Sequence, residues 1–335
     1  MLINEEGEIT GAISGGCLEG DALKKAMLAL QDGRPRLIAY DTSDEEGSSV
    51  GVQLGCSGIV SVLFEPISTE GKRNPIDLLQ QLVSKDSPGV LITLYEPGTI
   101  KGNHLGTYAI AFKDETITLD EIRELPTSVL TRASFILDGA SSEFDSITED
   151  NTSLNVFYEF IPPPIHLLIA GAGNDAVPVS KMAEILGWKI SIADGRSTHA
   201  RTERFSSACT IKVSQPERVL DGININNRTA ILLMTHNYQY DLGIFKSLLP
   251  HRPGCILLLG PKKRYERMLD DLRKDGMVPE ASFFETIYGP AGLEIGAETP
   301  EEIALSIISG IQAAMTGKTG GQLRQKPDVI HYRKG

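Results

Sequence analysis

The second half of the chain alternates short apolar runs with stretches whose apolar residues repeat at helical spacing. Leu167–Ala170 is one such run, and a helical pattern ending at Gly187 separates it from a second run at Lys189–Ala193. Continuous apolar runs of this length are typical of strands buried on both faces of a parallel sheet. Further strands are predicted at Thr210–Val213, Ala230–Met234 and Cys255–Leu259. The pattern predicts an α/β fold with a Rossmann-like, doubly wound parallel sheet.

The first half has shorter apolar runs separated by longer polar segments. An apolar start, the turn EEGE and the run Ile9–Ile13 predict a hairpin, and a helical pattern follows from Leu23 to Leu30. Strands are also predicted at Arg36–Tyr40, Ile59–Glu65, Val90–Tyr95 and Tyr108–Phe112, with a helix at Asp77–Val83. Residues 114–155 contain few motifs and are expected to form a surface region. The first half therefore predicts a smaller α/β domain with a mixed sheet. Because it opens in mid-hairpin, either upstream sequence is absent or this chain is a short one.

Three consecutive prolines, Pro162 to Pro164, mark the predicted domain boundary. Prolines stiffen an extended connection and continue neither a helix nor a central strand. The expected domains are residues 1–160 and 161–316, followed by a polar tail at 317–335.

Charge and composition exclude several classes of protein. The formal net charge of −12 and the pI of about 5.1 argue against a nucleic-acid-binding surface, which needs clustered Lys and Arg. No apolar run approaches the ~20 residues that cross a bilayer. No signal peptide is visible, so a cytoplasmic location is expected. The four cysteines lack metal-binding spacing and are expected to be free thiols.

Glycines follow the first strand of the second half directly. Gly171 and Gly173 allow a tight turn and a close approach of the backbone to a ligand, and the small Ala176 keeps the next helix near the sheet. Asp194 ends the second strand about 20 residues later, where an acidic side chain meets a ribose hydroxyl in dinucleotide-binding proteins. Arg196 is placed to reach a phosphate or to pair with Asp194. The motif predicts a dinucleotide-type half-domain, which either binds NAD(P) or keeps the loop without using it.

Two cysteines lie in glycine turns of the first half. Gly15 and Gly16 precede Cys17 at a helix start, where open backbone N–H groups favour an anion and the helix dipole favours a thiolate. Cys56 lies between two glycines ahead of a strand. The two thiols are candidates for one shared site, and small buried cysteines after tight turns are the alternative.

Three further positions are candidates on chemical grounds. His236 follows a predicted buried strand at the edge where open α/β sheets bind ligands, so it is a candidate acid–base residue or a loop-stapling histidine. Lys262 begins a run of three cations at a helix start, which indicates either a bound anion or a solvated turn. Gly292 lies in a glycine-rich loop, and Thr299 then begins a helix predicted to end near Met315.

Taken in order, several segments resemble the XdhC/CoxI family of accessory proteins for xanthine dehydrogenase and related molybdenum hydroxylases. The matching segments are GAISGGCLEGD, LGCSGIV, HLLIAGAG with the following DGR, LLMTHNYQYD, LLGPKKR and YGPAGLEIGAETPEEIALSI. They cover nearly the whole chain, and residues 72–159 match least. The resemblance implies a family-specific N-terminal domain, a Rossmann-like C-terminal domain and a role in maturing a molybdenum enzyme.

The resemblance also implies a cargo and partners. Family members are thought to bind molybdenum cofactor, to assist exchange of an oxo for a sulfido ligand with a cysteine desulfurase, and to insert the cofactor into the apo-enzyme. Cys17 and Cys56 are then the candidate ligands of molybdenum or carriers of sulfur. A homodimer is also expected. The candidate cofactor-binding residues are Gly15, Gly16, Cys17, Glu19, Cys56, Gly171, Gly173, Asp194, Arg196, His236, Lys262 and Gly292.

The chain departs from the family pattern at several places. A G-S-x-x-R-x-x-G-type segment that usually precedes the first strand is absent, and Asn174 stands where a His is common. Ser57 replaces a usual glycine, and Ser309-Gly310 replaces a common Ala-Glu. These departures indicate a divergent member.

Two functions from different classes follow. One is a non-catalytic chaperone of molybdenum cofactor, centred on Cys17 and Cys56. The other is an NAD(P)-dependent oxidoreductase with His236 as its acid–base residue and Asp194 on the ribose. The family resemblance favours the chaperone.

Overall fold

The structure of the chain is a computed structural model. It describes residues 1–14, 18–41, 59–67, 74–95, 106–119, 125–149, 152–207 and 209–326. The chain divides into two compact units between Pro163 and Pro164. We call the part before this point unit 1 and the part after it unit 2.

Unit 1 contains short antiparallel sheets and three helices. Its strands are β1 (Leu2–Ile3), β2 (Ile9–Thr10), β3 (Arg36–Asp41), β4 (Ile59–Phe64), β5 (Gly89–Tyr95), β6 (Gly106–Ala111), β7 (Thr116–Thr118), β8 (Glu143–Glu149) and β9 (Thr152–Ile161). Its helices are α1 (Glu19–Asp32), α2 (Pro75–Ser84) and α3 (Thr127–Gly139). Strands β1 and β2 pair, β3 and β4 pair, and the other five form a sheet in the order β7-β6-β5-β9-β8. Every strand pair within the described part of unit 1 is antiparallel.

The five-stranded sheet is covered on both faces by helices. Side chains of β5, β9 and α3, including Ile92, Tyr158 and Val129, form the larger apolar cluster. Leu78 of α2 packs with Leu91 on the opposite face. Alternate residues of β5 thus enter different clusters, as the period of two along a strand requires.

Two predictions for unit 1 are corrected. The strand predicted at Ile9–Ile13 ends at Thr10, because Gly11 has a φ of +80° and the N–H groups of Ile13 and Ser14 donate to the carboxylate of Glu19. Residues 114–155 form more than a surface region, since they contribute α3, β8 and the first residues of β9. Strand β9 pairs with both β5 and β8, so its packing depends on partners that are distant in sequence.

Unit 2 is built on one parallel sheet. Its strands are β10 (His166–Ala170), β11 (Lys189–Asp194), β12 (Cys209–Val213), β13 (Thr229–Leu233), β14 (Cys255–Leu258) and β15 (Ile287–Tyr288). Its helices are α4 (Ala176–Ile185), α5 (Tyr238–Leu248), α6 (Lys262–Lys274), α7 (Ala281–Glu285) and α8 (Pro300–Met315). The strand order is β12-β11-β10-β13-β14-β15, and every pair is parallel. The predicted doubly wound, Rossmann-like sheet is confirmed.

Two apolar clusters lie on opposite faces of this sheet. One contains Leu167, Ile169, Val179 of α4 and Ile307 of α8. The other contains Leu168 with residues of α5 and α6 such as Phe245 and Met268. Because α4 and α8 cover one face and α5 and α6 the other, the strands are buried on both sides, which explains their continuous apolar runs.

Helix α8 begins and ends as its sequence predicts. Thr299 is the N-cap, its hydroxyl accepts from the N–H of Glu302, and the Glu302 carboxylate accepts from the N–H of Thr299 in return. This reciprocal arrangement is a capping box, with Pro300 at the first helical position. Within the described residues, no helix is both long and apolar enough to span a membrane.

Candidate functional site

The order of the strands places a candidate site between β10 and β13. The chain winds from β10 to β11 and β12 on one side and from β13 to β14 and β15 on the other. The loops after β10 and β13 therefore diverge to opposite faces and leave a crevice at the carboxyl edge of the sheet. Ligands of open α/β sheets bind at such a switch point.

The turn after β10 packs closely against the end of β13. Gly171 has a φ of +122°, and a Cβ there would lie 2.7 Å from the carbonyl oxygen of Met234 and 2.9 Å from the amide nitrogen of Thr235. A Cβ on Gly173 would lie 2.3 Å from Oδ1 of Asp175. Both glycines are thus required by contacts inside the protein, a reason that the motif alone does not reveal. Contact of either glycine with a cofactor stays a prediction.

Asp194 has its hydrogen-bonding capacity occupied by protein donors. It is 2% exposed, and its Oδ2 accepts from the N–H of Ala172 at 2.8 Å. Oδ1 accepts from the N–H and from Nε of Arg196, and Nη2 of Arg196 donates to Oδ2 at 2.8 Å. Burial alone would raise the pKa of this carboxyl, but the donors of Arg196 and Ala172 outweigh it and hold the pKa below its usual value. The predicted pairing of Arg196 with Asp194 is confirmed.

This arrangement bears on the predicted ribose contact. The side chain of Asp194 anchors the glycine turn through Ala172 and holds Arg196 in place. A ribose hydroxyl would compete with these bonds for the same two oxygens. The ribose contact of Asp194 stays a prediction, and the described contacts assign the carboxylate a role in holding the loop.

His236 bridges the crevice at the end of β13. It has a φ of +58°, a backbone conformation that few residues other than glycine adopt. Its side chain is 69% exposed, and Nε2 lies 2.8 Å from Oδ2 of Asp175 in the turn after β10. The predicted position of His236 at the strand end is correct. Its partner Asp175 was missed, because sixty-one residues separate the two and no local pattern links them.

A buried ion pair supports the segment that carries His236. Asp241, in the first turn of α5, accepts hydrogen bonds from the hydroxyl of Thr235 and from Nη2 of Arg264 in α6. Burial raises the pKa of Asp241 despite these donors. Asn237 caps α5, since its side chain accepts from the N–H groups of Gln239 and Tyr240. The loop between β13 and α5 is therefore tied to α6.

The three cations at the start of α6 separate into two groups. Arg264 is half-buried and neutralises Asp241, and its guanidinium also lies 5.8 Å from the ring centre of Tyr238. Lys262 and Lys263 are exposed at the first turn. Two cations thus remain at the helix N-terminus, and anion binding by Lys262 stays a prediction.

Arg204 is a second residue that the sequence did not single out. It follows β11, and Nη1 donates to the carbonyl oxygens of Ala172 and His199. Nη2 donates to Oδ1 of Asn174 at 2.8 Å. The guanidinium holds the glycine turn from the side opposite His236. Only the tertiary contact identifies it.

Gly292 packs against a helix. Its φ is +97°, and a Cβ there would lie 3.1 Å from the carbonyl carbon of Ser306 and 3.2 Å from the amide nitrogen of Ile307 in α8. Gly310 lies across the contact, where a Cβ would come within 3.1 Å of the Cα of Gly292. The departure from the family pattern at Gly310 thus has a packing role. A cofactor contact of Gly292 stays a prediction.

In unit 1, Glu19 stabilises the chain before α1. Its carboxylate accepts from the N–H of Ser14 at 2.7 Å and from the Ser14 hydroxyl at 2.8 Å. These hydrogen bonds lower the pKa of Glu19 to about 2. Glu19 therefore fixes residues 13 and 14, and its contact with a cofactor stays a prediction.

The cysteine candidates cannot be placed from the described part of the chain. Gly15, Gly16, Cys17 and Cys56 lie outside it, so the shared thiol site stays a prediction. The two described cysteines are free thiols, and burial raises the pKa of Cys255 to about 12 and also raises that of Cys209. Among the residues with described positions, no group of three His, Cys, Asp or Glu side chains could hold a metal ion.

The sheet order, the helices on both faces and the glycine turn at the switch point define a Rossmann-type protein. The family model described as the XdhC Rossmann domain matches residues 167–311, and that of the XdhC and CoxI family matches residues 1–41. The two matches together cover more than half of the 335 residues. The chain belongs to the XdhC and CoxI family.

Relatives from three bacteria resemble the chain over most of its length. It is 29% identical over 314 residues to a probable xanthine dehydrogenase subunit of Bacillus subtilis strain 168, which covers 93% of this chain and 86% of that protein. It is 20% identical over 312 residues to the molybdenum cofactor insertion chaperone PaoD of Escherichia coli K12, with 93% and 76% covered. A crystal structure described as a xanthine dehydrogenase from Bacillus halodurans has a TM-score of 0.72 at 25% identity, with 97% and 87% covered.

Proposed function

We propose that the chain is an accessory protein of a xanthine dehydrogenase-type molybdenum hydroxylase in the cytoplasm. It binds molybdenum cofactor and inserts it into the apo-enzyme. The observation that carries this proposal is the similarity over 93% of the chain to a molybdenum cofactor insertion chaperone, together with membership of the family. The cofactor is cargo here, so the chain has no chemical turnover of its own.

The crevice at the switch point supports this proposal through its donors. The side chain of Arg196 is 49% exposed although it pairs with Asp194. The bonds to Asp194 use Nε and Nη2, and Nη1 carries two further N–H groups that can donate to a phosphate. His236 lies across the same crevice with an exposed ring. A pterin that carries a phosphate is a suitable anion for these groups.

Three finer statements belong to the same proposal. The chain assists sulfuration of the cofactor, a cysteine desulfurase supplies the sulfur, and the protein acts as a homodimer. The family resemblance supports all three. Cys17 and Cys56 would provide the thiols that a sulfur transfer or a bond to molybdenum requires.

A cofactor-retention assay tests the proposal. The purified chain is mixed with molybdenum cofactor, passed through a desalting column, and assayed for retained molybdenum and for pterin fluorescence. We expect stoichiometric retention by the parent, loss in Cys17→Ser, and no change in the control Cys209→Ser. The retained complex should also activate an apo molybdenum hydroxylase. No retention by the parent would contradict the proposal.

The alternative is an NAD(P)-dependent oxidoreductase with Asp194 on the ribose. The described contacts do not favour it, because Arg196 and Ala172 already use the carboxylate of Asp194. Titration calorimetry with the oxidised and reduced nucleotides decides the matter. Absence of heat at millimolar ligand would exclude this function.

A further inference from the structure

A cavity of ≈ 380 Å³ opens at the carboxyl edge of β14, beside the crevice. The end of β14, the loop after β15 and the first turns of α8 form its walls, which include Leu259, Leu293, Ile295 and Ile303. Such a volume falls within the range of small-molecule pockets, roughly 300–1,000 Å³. The cavity is large enough for a heterocycle of two fused rings.

The walls of this cavity are held by contacts that need no ligand. Ala291 donates its N–H to the carbonyl of Leu258, at the end of β14. Leu293 donates its N–H to the carbonyl of Ser306 at 3.2 Å and accepts from the Ser306 hydroxyl at 2.6 Å. A Cβ on Gly320 would come within 2.5 Å of a methyl of Leu293, so the chain after α8 supports this wall from behind. The cavity is therefore preformed.

One charged side chain lines this largely apolar cavity. Glu294 is the charged residue among the described residues of its wall. It is exposed, and its carboxylate offers two acceptor oxygens. On the far side, Gly260 of the wall leads directly into α6, whose first turn carries the exposed Lys262 and Lys263. The cavity thus combines apolar walls and a carboxylate with two nearby cations.

We infer that this cavity binds the pterin ring of the cargo, with Glu294 as the residue that recognises it. This inference rests on the proposed function and adds the binding mode. A pterin presents an N–H and an amino group side by side on its pyrimidinone edge, and one carboxylate accepts from both. The apolar walls contact the ring faces, and a phosphate attached to the pterin lies towards the first turn of α6.

A pair of pterins that differ at this edge tests the inference. 6-Hydroxymethylpterin has the amino group, whereas lumazine has an oxygen in its place and cannot donate both hydrogens. Binding to the purified full chain is measured by fluorescence titration. We expect the parent to bind 6-hydroxymethylpterin at least about tenfold more tightly than lumazine, since one charge-assisted hydrogen bond is lost.

The variants locate the contact on the protein. Glu294→Gln should bind 6-hydroxymethylpterin at least about tenfold more weakly and should no longer distinguish it from lumazine. Glu301→Gln removes the same charge in the first turn of α8 outside the cavity, and it should bind as the parent does. Ala297→Leu narrows the cavity and should weaken both ligands together.

The outcomes separate this inference from the proposed function. If the parent retains molybdenum cofactor and both Glu294→Gln and Ala297→Leu retain it equally, the cavity is not its site although the function stands. If the parent retains no cofactor but binds 6-hydroxymethylpterin through Glu294, the cavity is a pterin site and the accessory function is wrong. Guanine has the same edge, so binding of guanosine monophosphate without binding of the pterin would overturn the inference.

Discussion

Gly171 is a residue at which the tertiary contact, rather than a ligand, demands glycine. Its positive φ disfavours a side chain, and the backbone of Met234 and Thr235 occupies the place that a Cβ would take. The sequence predicts the glycine turn correctly, since the motif is local. It does not predict the opposing backbone, because β13 lies some sixty residues further along the chain.

Gly171→Ala should lower the free energy of unfolding of unit 2 by about 2–4 kcal/mol, since it adds a clash to an unfavourable φ. Urea unfolding followed by the fluorescence of Trp188 measures this, because Trp188 is the single tryptophan and lies 9% exposed in unit 2. Gly187→Ala is the matched control. It has a φ of +69° with no atom within 4 Å of a Cβ, so it should cost only about 1 kcal/mol. Equal effects of the two substitutions would refute the clash.

The buried pair of Asp241 and Arg264 makes unit 2 sensitive to pH once the pair is broken. Burial raises the pKa of Asp241, and Arg264 opposes that rise. A carboxyl whose folded pKa is above its unfolded value stabilises the protein below the unfolded pKa, and this stability is lost as the pH rises through the folded pKa. Removal of Arg264 should widen that window.

Arg264→Met keeps an aliphatic stem and leaves a buried charge without its partner. We expect the free energy of unfolding to fall by about 3–5 kcal/mol at neutral pH and to recover partly as the pH falls towards about 5. The double variant Arg264→Met/Asp241→Asn should show no such recovery. Urea unfolding at several pH values checks both, and a loss of stability that grows on acidification would contradict this account.

At the scale of elements, capping chemistry explains why α8 was predicted nearly to the residue. The N-cap Thr299, the adjacent proline and Glu302 act within four residues of each other, so the signal is local. Residues 114–155 show the opposite case. Strand β9 is stabilised by β5 and β8, and these pairings leave no short-range pattern.

Thr299→Ala should lower the free energy of unfolding of unit 2 by about 1 kcal/mol, because the N–H of Glu302 loses its acceptor. Thr299→Ser keeps a hydroxyl at the same place and should remain within a few tenths of a kcal/mol of the parent. The same Trp188 fluorescence assay applies to both variants. If Thr299→Ser is as unstable as Thr299→Ala, the capping bond is not the cause.

At the scale of the whole molecule, each unit has apolar clusters of its own. The two clusters of unit 2 contain only residues after Pro164, and the clusters of unit 1 only residues before it. A unit with its own core is expected to fold by itself.

A fragment of residues 161–335 should therefore unfold cooperatively, with the Trp188 transition at the urea concentration seen for the full chain. A fragment of residues 172–335 lacks β10, the strand between β11 and β13, and should not fold. Fluorescence and circular dichroism compare the two. If the longer fragment exposes Trp188 without denaturant, unit 2 needs unit 1 to fold.

The sequence by itself determined the parallel sheet of unit 2, the glycine turn after β10 and the start of α8. These features depend on apolar periodicity and on capping within a few residues, so they are legible without a partner. Only the tertiary structure decided that Asp175 meets His236, that Arg264 neutralises Asp241 and that Gly292 packs on Gly310. The physical reason is that these contacts join loops whose proximity is set by the order of strands in the sheet, not by their distance along the chain.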